Sequence, residues 1–431
     1  MSGSNGRRVA IIMGCRTPFA KAGTVLKDVS AVDLAKHAAR ELLVRSEIDP
    51  KIVDQVIFGQ VIPSVLAPNV AREVSLLPQF PRNIPAYSLN RACASSNQAI
   101  ADAHDQIVLG HADAVIAGGT EALSDVPILH SKRFAEILVE ASKAKSLGRR
   151  LSTIAKTRPR DLIPVTPAIA EPSTGQTMGQ SAEKMAKENG ITREAQDSFA
   201  LRSHHNAAKG TADGRLTAEI APFFVPPKYE EAVASDNGIR ADSTLEQLAK
   251  LRPVFDRRYG TVTAANASPL TDGGSAVLLM SKDRARSLGY EPLAFIRAYA
   301  VAAVDPGEQL LMGPAFAVPK ALERAGITWK ELGLVEMHEA FAAQALSNIQ
   351  AFESKKFAVE KLGRTEPVGE VDWETLNVMG GSIAIGHPFG ATGGRITTTL
   401  ANEMKRRNVQ FGLISVCAQG GMGFAMVLER R

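Results

Sequence analysis

The apolar residues of the chain follow two periods, and the elements that they predict alternate. Continuous apolar runs typical of buried strands occur at residues 9–14, 111–117 and 275–280. Between these runs, apolar residues recur at helical spacing. The clearest case begins at Ser30, which with Asp33 forms a pattern similar to a helix-starting capping box. The alternation of strand, helix and strand predicts a layered α/β domain.

The pattern of the first part of the chain returns near its end. Residues 39–56 resemble 321–335, with the end of a helix, a short turn and the start of a strand in the same order. The helix and strand that follow Cys93 likewise resemble those that follow His387, where the helix is predicted over 392–407. We therefore predict an internal duplication, with two copies of one α/β unit facing each other. Equivalent turns of facing copies meet, so the Cys93 and His387 turns should lie close together.

Local composition divides the chain into three parts. Prolines cluster in the middle part, where two helical patterns, 177–188 and 193–209, lie among long irregular stretches. We interpret the middle part as an insertion into the first half. The predicted N-terminal half comprises residues 1–123 and 260–291. The inserted loop domain comprises 124–259, and the C-terminal half comprises 292–431.

Residues 131–161 form a basic segment within the insertion. The segment holds nine Lys or Arg and three Asp or Glu, a local charge of +6 against +5 for the whole chain. Apolar residues recur in it at near-helical spacing, at Phe134, Ile137, Leu138, Ala141, Gly148, Leu151 and Ile154. We interpret the segment as a solvated basic face over a core stripe. The alternative is a docking surface for a membrane, a second subunit or a phosphate-bearing ligand.

Composition narrows the class of protein. A chain of 431 residues, 45% hydrophobic and 22% charged, is typical of a globular protein with two or three domains. Aromatic residues make up only 5%, and no RNA-binding or zinc-finger motif occurs, so a nucleic-acid partner is disfavoured. Three scattered cysteines predict a reducing compartment. Since no signal-peptide or membrane-spanning run is found, we expect a soluble cytoplasmic protein.

Cys93 is the first candidate for chemistry. It falls between an alternating segment, 86–89, and a helical pattern that includes Ala99, which places it at a strand-to-helix turn. The partial positive charge at a helix N-terminus favours the thiolate, which is the nucleophilic form. The small residues from Ala94 to Ser96 leave room for a molecule to reach the sulfur. A single cysteine is more often a small buried residue, so the other candidates decide its role.

His387 is the second candidate. It lies in a glycine-rich run, 380–395, and many glycines allow close approach of a ligand or another chain segment. A histidine here could simply pack or cap, but a cysteine and a histidine on matching turns form an activated-nucleophile pair. The further candidates are Cys417 at a strand end and His338 after the strand 334–337. Neither segment matches a nucleotide-binding or zincin motif, and we predict no metal site.

Four ordered segments of the chain resemble the thiolase family, those around Cys93, His338, His387 and Cys417. Three further segments are similar to the same family, at 178–183, 251–256 and 261–280. The resemblance covers essentially the whole chain. It implies a fold of two duplicated α/β halves in a layered αβαβα arrangement with an inserted loop domain. The His-Glu-Ala-Phe form at 338–341 resembles the branch with the β subunit of the trifunctional β-oxidation complex and its bacterial counterpart.

The resemblance implies the activity of a 3-ketoacyl-CoA thiolase, an acyltransferase of fatty-acid β-oxidation. His387 would take the proton of Cys93, whose thiolate attacks the 3-keto carbon. Cys417 would protonate the departing acetyl-CoA enolate, and CoA would then release the acyl group from Cys93. The expected donors to the enolate oxygen are His387 and His338. The backbone N–H groups of Cys93 and Gln419 are the expected donors to the tetrahedral oxygen.

The resemblance also implies contacts with ligands and partners. The matching CoA-contacting positions are Ser268, Met178, Arg240 and Gln419. We expect CoA as a co-substrate, no tightly bound cofactor, and acyl chains of medium to long length. The implied partners are a second copy in a homodimer or higher oligomer and a hydratase/dehydrogenase α subunit. Peripheral membrane contact through 131–161 stays open.

Three alternative functions stay open. The first is an acetoacetyl-CoA thiolase that condenses rather than cleaves, on the same residues. The second is a ketoacyl synthase, and Cys417 argues against it because synthases lack the second cysteine. The third is a non-catalytic acyl-CoA-binding or scaffold subunit, which the intact set of Cys93, His387 and Cys417 disfavours.

Overall fold

Strands and helices alternate through most of the chain. The computed structural model describes residues 6–164 and 170–431. The strands are β1 Val9–Arg16, β2 Ala20–Lys21, β3 Gln55–Gly59, β4 Ala86–Leu89, β5 Ala114–Ala122, β6 Phe223–Phe224, β7 Ala232–Val233, β8 Thr271–Ser281, β9 Ala294–Ala303, β10 Leu334–Met337, β11 Phe411–Ala418 and β12 Met422–Glu429.

The helices include each one that the apolar pattern predicts. The α-helices are α1 Ala31–Ser46, α2 Val70–Ser75, α3 Ser95–Val108, α4 Lys132–Lys143, α5 Leu147–Ile154, α6 Met178–Glu188, α7 Arg193–Ala212, α8 Leu245–Ala249, α9 Lys282–Ser287, α10 Gly313–Ala325, α11 Ala342–Glu353, α12 Lys355–Leu362, α13 Ser382–Ile385 and α14 Thr392–Arg407. Short 3₁₀ helices lie at Pro50–Ile52, Pro159–Leu162, Thr217–Glu219, Leu310–Met312 and Trp329–Glu331. None of these helices has the length and apolar content needed to span a lipid bilayer.

The capping residues explain where several helices begin. The Ser30 hydroxyl accepts a hydrogen bond from the Asp33 N–H at 3.1 Å, so α1 begins where the sequence predicts. Helix α14 has the predicted bounds as well. Helix α7 runs three residues past the predicted end at Lys209 because Gly210 stays helical. A Cβ at Gly210 would lie 2.6 Å from the Met379 Cε, so this methionine side chain packs directly over the glycine.

Ten strands of the described residues form one mixed sheet. Its order is β10-β11-β12-β9-β1-β8-β5-β3-β4, and β2 pairs with β8 beside this path. The neighbours β1-β8-β5-β3 pair antiparallel, antiparallel and parallel, and β9-β12-β11-β10 repeat that order. The two halves join where β1 and β9 pair at three positions. The repeated order confirms the predicted duplication.

Helices cover both faces of each half of the sheet. Helices α3 and α14 pack against each other and against a common core that includes Ile57 of β3 and Ile414 of β11. The opposite face of the N-terminal half packs against α1 and α2, and that of the C-terminal half against α10, α11 and α6. Full burial of a large aliphatic side chain contributes about 1.5–3 kcal/mol, so each layer is held by many such residues. The predicted layered αβαβα arrangement is confirmed.

Residues Val126–Ile169 form a compact unit separate from the unit that comprises Met1–Asp125 and Ala170–Arg431. In the smaller unit α4 packs against α5, and Ile137 and Ala141 are buried. Leu138, Leu151 and Ile154 are 40%, 59% and 46% exposed. The interpretation as a core stripe is therefore correct for Ile137 and Ala141, which are buried, and wrong for the three exposed large residues. Of the other two predicted members, Phe134 is half-buried and Gly148 is exposed. Two short helices cannot cover so wide an apolar face, and the predicted domain boundaries stay a prediction.

Candidate active site

Cys93 lies in the turn between β4 and α3, as predicted. Ala92 has a φ of +45°, in the left-handed region that residues with a Cβ rarely adopt. Two local contacts stabilise this bend. The Asn90 Oδ1 accepts from the Ala92 N–H at 2.9 Å, and the Ser95 hydroxyl accepts from the Arg91 N–H at 2.9 Å. Strained backbone held by its surroundings is typical of functional sites.

Helices α3 and α14 bring the two candidate turns together. The Gly394 N–H donates to the Ser96 hydroxyl at 2.8 Å, and the Asn97 Nδ2 donates to the Gly393 carbonyl at 3.4 Å. A Cβ at Gly393 would lie 2.1 Å from the Asn97 Oδ1 and 2.6 Å from the Asn97 backbone nitrogen. Only glycine allows the two helices to approach so closely.

Cys93, His338 and His387 converge on one place. A potential ligating atom of each lies within 4.8 Å of those of the other two, and the ring centroids of the two histidines are 4.2 Å apart. The predicted meeting of the Cys93 and His387 turns is confirmed. Two imidazoles and a thiol are also a donor set found in zinc sites. As a metal-binding set the cluster has no motif in the sequence, because its members come from distant segments, and the prediction of no metal site stays a prediction.

Cys417 and Gln419 approach Cys93 from the end of β11. The Cys417 side chain is buried, and burial followed by the neighbouring Cys93 raises the pKa of its thiol well above the ordinary value. The backbone N–H of Gln419 is placed to donate to the Cys93 sulfur, which acts to lower the pKa of that thiol. The structure therefore brings together all four side chains predicted as catalytic, while their individual roles stay predictions.

Burial controls the protonation of this site. It raises the pKa of Cys93 to about 12, although the backbone N–H groups of Gln419 and Cys93 act in the opposite direction. The expectation of a favoured thiolate is wrong, because loss of solvent outweighs the partial charge of the helix N-terminus. Burial also lowers the pKa of His387 to about 3 and that of His338 well below its ordinary value. Both imidazoles are therefore neutral at pH 7.

Each histidine is held through its Nδ1 atom. The His387 Nδ1 lies 2.6 Å from the Thr392 Oγ1, whose hydroxyl also donates to the Pro388 carbonyl at 3.1 Å. The His338 Nδ1 lies 2.9 Å from the Ser382 Oγ. Both Nε2 atoms are buried and have no hydrogen-bond partner among residues 6–164 and 170–431. Buried polar atoms are normally paired, so these two nitrogens are left for a bound ligand.

Glu339 holds the loop that carries His338. Its carboxylate accepts from the Ser203 hydroxyl and the Asn377 Nδ2, both at 2.6 Å, and from the Ile383 N–H at 3.3 Å. These contacts connect the loop after β10 with α7 and α13. The sequence gives no sign of this role for Glu339, since a single acid beside a strand belongs to no repeating pattern.

Glu121 of β5 holds the loop that carries His387. Its carboxylate accepts from the N–H groups of Val61, Ile62 and Gly390, each at 3.0 Å. Burial raises the pKa of Glu121 to about 7. The side chain thus connects the loop after β3 with the glycine-rich loop of the other half. Glu121 is likewise not predicted from the sequence, although this residue follows the glycine pair that ends the predicted strand.

A cavity of about 280 Å³ borders the glycine-rich run, to which its wall residue Ile383 belongs. Its wall includes Lys21, Arg240, Pro269 and Ile383, and the side chains that line it in the described part of the chain include no acid. The Pro269 carbonyl accepts from the His387 N–H at 3.2 Å, which connects the cavity wall to the site. Burial, and after it the charge of Arg240, lower the pKa of Lys21. An incoming anion would relieve this repulsion.

The four predicted CoA-contacting residues occupy different places. Arg240 lines the cavity, and Ser268 directly precedes its Pro269. Gln419 lies beside Cys93, and its side chain donates to the Ala170 carbonyl at 2.8 Å. Met178 begins α6 and packs against the core of the C-terminal half. The structure places the first three around the cavity and the cluster and gives no such contact for Met178.

Comparison with known protein families decides the classification. The family model described as "Thiolase, N-terminal domain" matches residues 9–283, and "Thiolase, C-terminal domain" matches residues 290–430. The chain belongs to the thiolase family. The resemblance found in the sequence is thereby confirmed.

Thiolase relatives match over nearly the full chain. The chain is 51% identical over 424 residues to the 3-ketoacyl-CoA thiolase of Erwinia tasmaniensis and 52% identical over 424 residues to that of Aeromonas salmonicida. In both cases the match covers 98% of this chain and 97% of the relative.

Solved thiolase structures share the fold. Bacillus anthracis acetyl-CoA acetyltransferase has a TM-score of 0.84 at 34% identity, over 99% of this chain and 100% of that one. Human mitochondrial 3-ketoacyl-CoA thiolase has a TM-score of 0.82 at 33% identity, over 98% of each chain.

Proposed function

We propose that this thiolase is a 3-ketoacyl-CoA thiolase, an acyltransferase that uses CoA to cleave a 3-ketoacyl-CoA into acetyl-CoA and an acyl-CoA two carbons shorter. Relatives that are 51% and 52% identical over nearly the whole chain have this name. The observation that carries the proposal is the convergence of Cys93, His338 and His387 within 4.8 Å. A nucleophile beside a base is the arrangement that covalent acyl transfer requires.

The first step is acylation of Cys93. Neutral His387 takes the thiol proton as the sulfur attacks the 3-keto carbon. Because burial keeps the sulfur protonated, the reactive thiolate forms only when an electrophile is in place. The oxygen of the tetrahedral intermediate is stabilised by the backbone N–H groups of Cys93 and Gln419. Loss of one such donor typically costs about 3 kcal/mol.

The second step breaks the carbon–carbon bond. The electron pair of that bond moves onto acetyl-CoA as an enolate, whose oxygen is stabilised by His338 and His387. Cys417 donates its proton to the enolate carbon, and its raised pKa keeps it protonated until that moment. The incoming CoA thiol then returns a proton to Cys417 as its sulfur attacks the acyl-Cys93 thioester, and the departing Cys93 sulfur takes back the proton held by His387. Each proton that leaves the protein is thereby replaced within one turnover.

The cavity beside the site supports CoA as the co-substrate. Lys21 and Arg240 supply two positive charges to its wall, which suits a phosphate-bearing ligand. Ser268 precedes the wall residue Pro269, and the backbone N–H of Gln419 lies beside the reacting sulfur. We propose these residues as CoA contacts, with Met178 as a packing residue beside them. The proposal includes no tightly bound cofactor.

We also propose a cellular setting for the reaction. The chain would act in fatty-acid β-oxidation in the cytoplasm, as a homodimer or higher oligomer. A hydratase/dehydrogenase α subunit is the proposed partner. The exposed apolar residues and the charge of +6 over residues 131–161 support a docking role for that segment.

One observation favours a second candidate function. The Bacillus anthracis structure with a TM-score of 0.84 is named an acetyl-CoA acetyltransferase, which supports a short-chain acetoacetyl-CoA thiolase. The two candidates use the same cysteines and histidines. They differ in the length of the acyl chain that the enzyme accepts, so a substrate series separates them.

The test is a thiolysis assay with 3-ketoacyl-CoAs from short to long chains. We expect turnover with medium and long chains and an acyl group on Cys93 in the mass spectrum of the intact protein. Cys93→Ala should lower the rate by about 10⁴-fold or more. Cys15→Ala is the matched control, because Cys15 is buried in β1, where its sulfur contacts the Ala38 carbonyl. Turnover of only the shortest substrate would favour the second candidate, and full activity of Cys93→Ala would refute both.

A further inference from the structure

The hydrogen bonds behind the two histidines assign them opposite tautomers. We infer that Ser382, held by Arg395, keeps His338 protonated on Nε2, while Thr392 keeps His387 protonated on Nδ1. The two rings then present one N–H donor and one lone pair to the reacting atoms. This inference rests on the proposed function and deepens it, because it makes Arg395 and Ser382 positioning residues of the same site.

The tautomer of His387 follows from the single proton of the Thr392 hydroxyl. That hydroxyl donates to the Pro388 carbonyl at 3.1 Å. Its oxygen therefore accepts at the 2.6 Å contact with the His387 Nδ1, so Nδ1 must be the protonated nitrogen. The His387 Nε2 is left with a lone pair. This is the form of imidazole that can take the proton of Cys93.

The tautomer of His338 follows from the chemistry of Arg395. A guanidinium only donates, so at the 3.0 Å contact between the Arg395 Nη2 and the Ser382 Oγ the serine oxygen accepts. Among the residues that the structure describes, the His338 Nδ1 is then the one acceptor that lies within reach of the Ser382 hydroxyl proton, with an O–N distance of 2.9 Å. If Nδ1 carried a proton, this fully buried hydroxyl would keep an unpaired donor, which folded proteins rarely leave unsatisfied. His338 is therefore protonated on Nε2.

Arg395 is well placed for this role. It lies on α14, three residues after Thr392, so one helix supplies support to both rings. Its side chain is 1% exposed, and its Nη1 lies 3.5 Å from the Glu336 Oε2 of β10. β10 leads directly into His338, so Arg395 lies against the strand before the ring and also contacts the serine beside it. Opposite tautomers suit the reaction, because a neutral site needs one base and one donor to the enolate oxygen.

The direct test is nitrogen NMR of the whole protein labelled with ¹⁵N-histidine, without substrate. Couplings between ring protons and nitrogens distinguish the two tautomers. His338→Asn and His387→Gln variants assign the two sets of signals. We expect an Nε2–H form for His338 and an Nδ1–H form for His387. The same tautomer in both rings would overturn the inference whether or not the protein cleaves 3-ketoacyl-CoA. An inactive wild type with opposite tautomers would overturn the proposed function alone.

The kinetic test uses Ser382→Ala, with Ser382→Thr to restore the hydroxyl. We expect Ser382→Ala to lower kcat about 10- to 100-fold with little change in KM. Loss of a hydrogen bond that orients a functional histidine has an effect of this size in metal sites. The Nε2–H signal of His338 should be lost, and Ser382→Thr should recover both. Ser347→Ala is the matched control, because this buried hydroxyl donates only to the Ala343 carbonyl in α11.

A double-mutant cycle separates positioning from general damage. Ser382 is inferred to act through His338, so Ser382→Ala should cause little further loss in a His338→Asn background. An equal loss in both backgrounds would overturn the inference. Arg395→Lys gives a second variant that keeps the charge against Glu336. It should shift the His338 signal towards a mixture of tautomers while leaving that of His387 unchanged, and an unchanged His338 signal would exclude a role for the guanidinium.

Discussion

The two halves of the sheet share one strand order, but their matching turns are built differently. The turn before α3 bends through Ala92, at a φ of +45°, and presents Cys93. The turn before α14 bends through Gly386, at a φ of +114°, and buries His387. A residue with a Cβ in such a conformation typically costs about 1–3 kcal/mol, whereas glycine adopts it freely. Duplication explains why the turns face each other, and local sequence explains why one holds a nucleophile and the other a base.

A second contact between the halves, apart from the pairing of β1 with β9, is formed by glycines of both halves. A Cβ at Gly119 would lie 1.9 Å from the Gly390 carbonyl oxygen, and one at Gly390 would lie 2.3 Å from the Thr120 carbonyl oxygen. The glycines of the two halves therefore serve the same purpose, which is direct approach of two backbones. This contact lies three residues from His387, so the backbones of the two halves meet beside the catalytic groups.

The largest expected effect comes from the base of the C-terminal half. His387→Gln should lower the rate of Cys93 acylation about 10²- to 10⁴-fold, because no other described group replaces its Nε2 lone pair. Single-turnover measurement of acyl-enzyme formation by mass spectrometry gives this rate. The control is His37→Gln, since His37 lies on α1 and packs against Phe223 of β6, away from the site. Similar rates for the two variants would break the assignment of one role to each half.

An intermediate effect is expected from the acid that connects the halves. Because the pKa of Glu121 is about 7 in the folded protein, against an ordinary value of 4.5, the folded state holds this proton more tightly. The group therefore lowers the free energy of unfolding as pH rises from 4.5 to 7, by about 3 kcal/mol in total. Glu121→Gln has no carboxyl group to titrate at this position. Its free energy of unfolding relative to that of wild type should therefore increase between pH 4.5 and pH 7.

Urea unfolding of both proteins at several pH values measures the Glu121 effect. A constant offset between the curves reflects the changed hydrogen bonds to Val61, Ile62 and Gly390, and only the slope is diagnostic. Glu136→Gln, at an exposed position on α4, supplies the matched control. Parallel curves for Glu121→Gln and wild type would contradict the prediction.

The smallest expected effect concerns the contact between α3 and α14. Ser96→Ala leaves the buried N–H of Gly394 without its acceptor, which should lower the free energy of unfolding by about 1–2 kcal/mol. Chemical denaturation measures this change. Ser142→Ala removes a hydroxyl from an exposed part of α4 and should have almost no effect. If the two variants were equally stable, this contact would not hold the halves together.

Periodicity predicts the framework of this fold well. The start of α1 at Ser30 and both ends of α14 follow from caps and apolar spacing. The duplication follows from the order of elements. Because a duplication places equivalent turns face to face, the meeting of Cys93 and His387 could be predicted as well. The end of α7 could not, since a glycine usually ends a helix, whereas Gly210 lies inside α7 and packs beside Met379.

The supporting residues of the site lie beyond the reach of sequence patterns. Ser382 contacts His338 from a distant segment, whereas Thr392 lies only five residues from His387. Single polar residues in a glycine-rich run carry no period in either case. The prediction that Cys93 favours the thiolate is wrong for a similar reason. A helix N-terminus can be read from sequence, but the loss of water around a sulfur depends on how several loops pack. Leu138, Leu151 and Ile154 show the same limit, because a spacing does not reveal how much of a face is covered.

The seam between β1 and β9 has a consequence for the timing of catalysis. Main-chain hydrogen bonds at three positions make one sheet of the two halves, so neither half swings freely about a linker. The gap between sulfur and imidazole is thus part of the rigid scaffold, set when the chain folds. We therefore expect a substrate to meet a site whose groups are already in place, without a closing motion of one half upon the other.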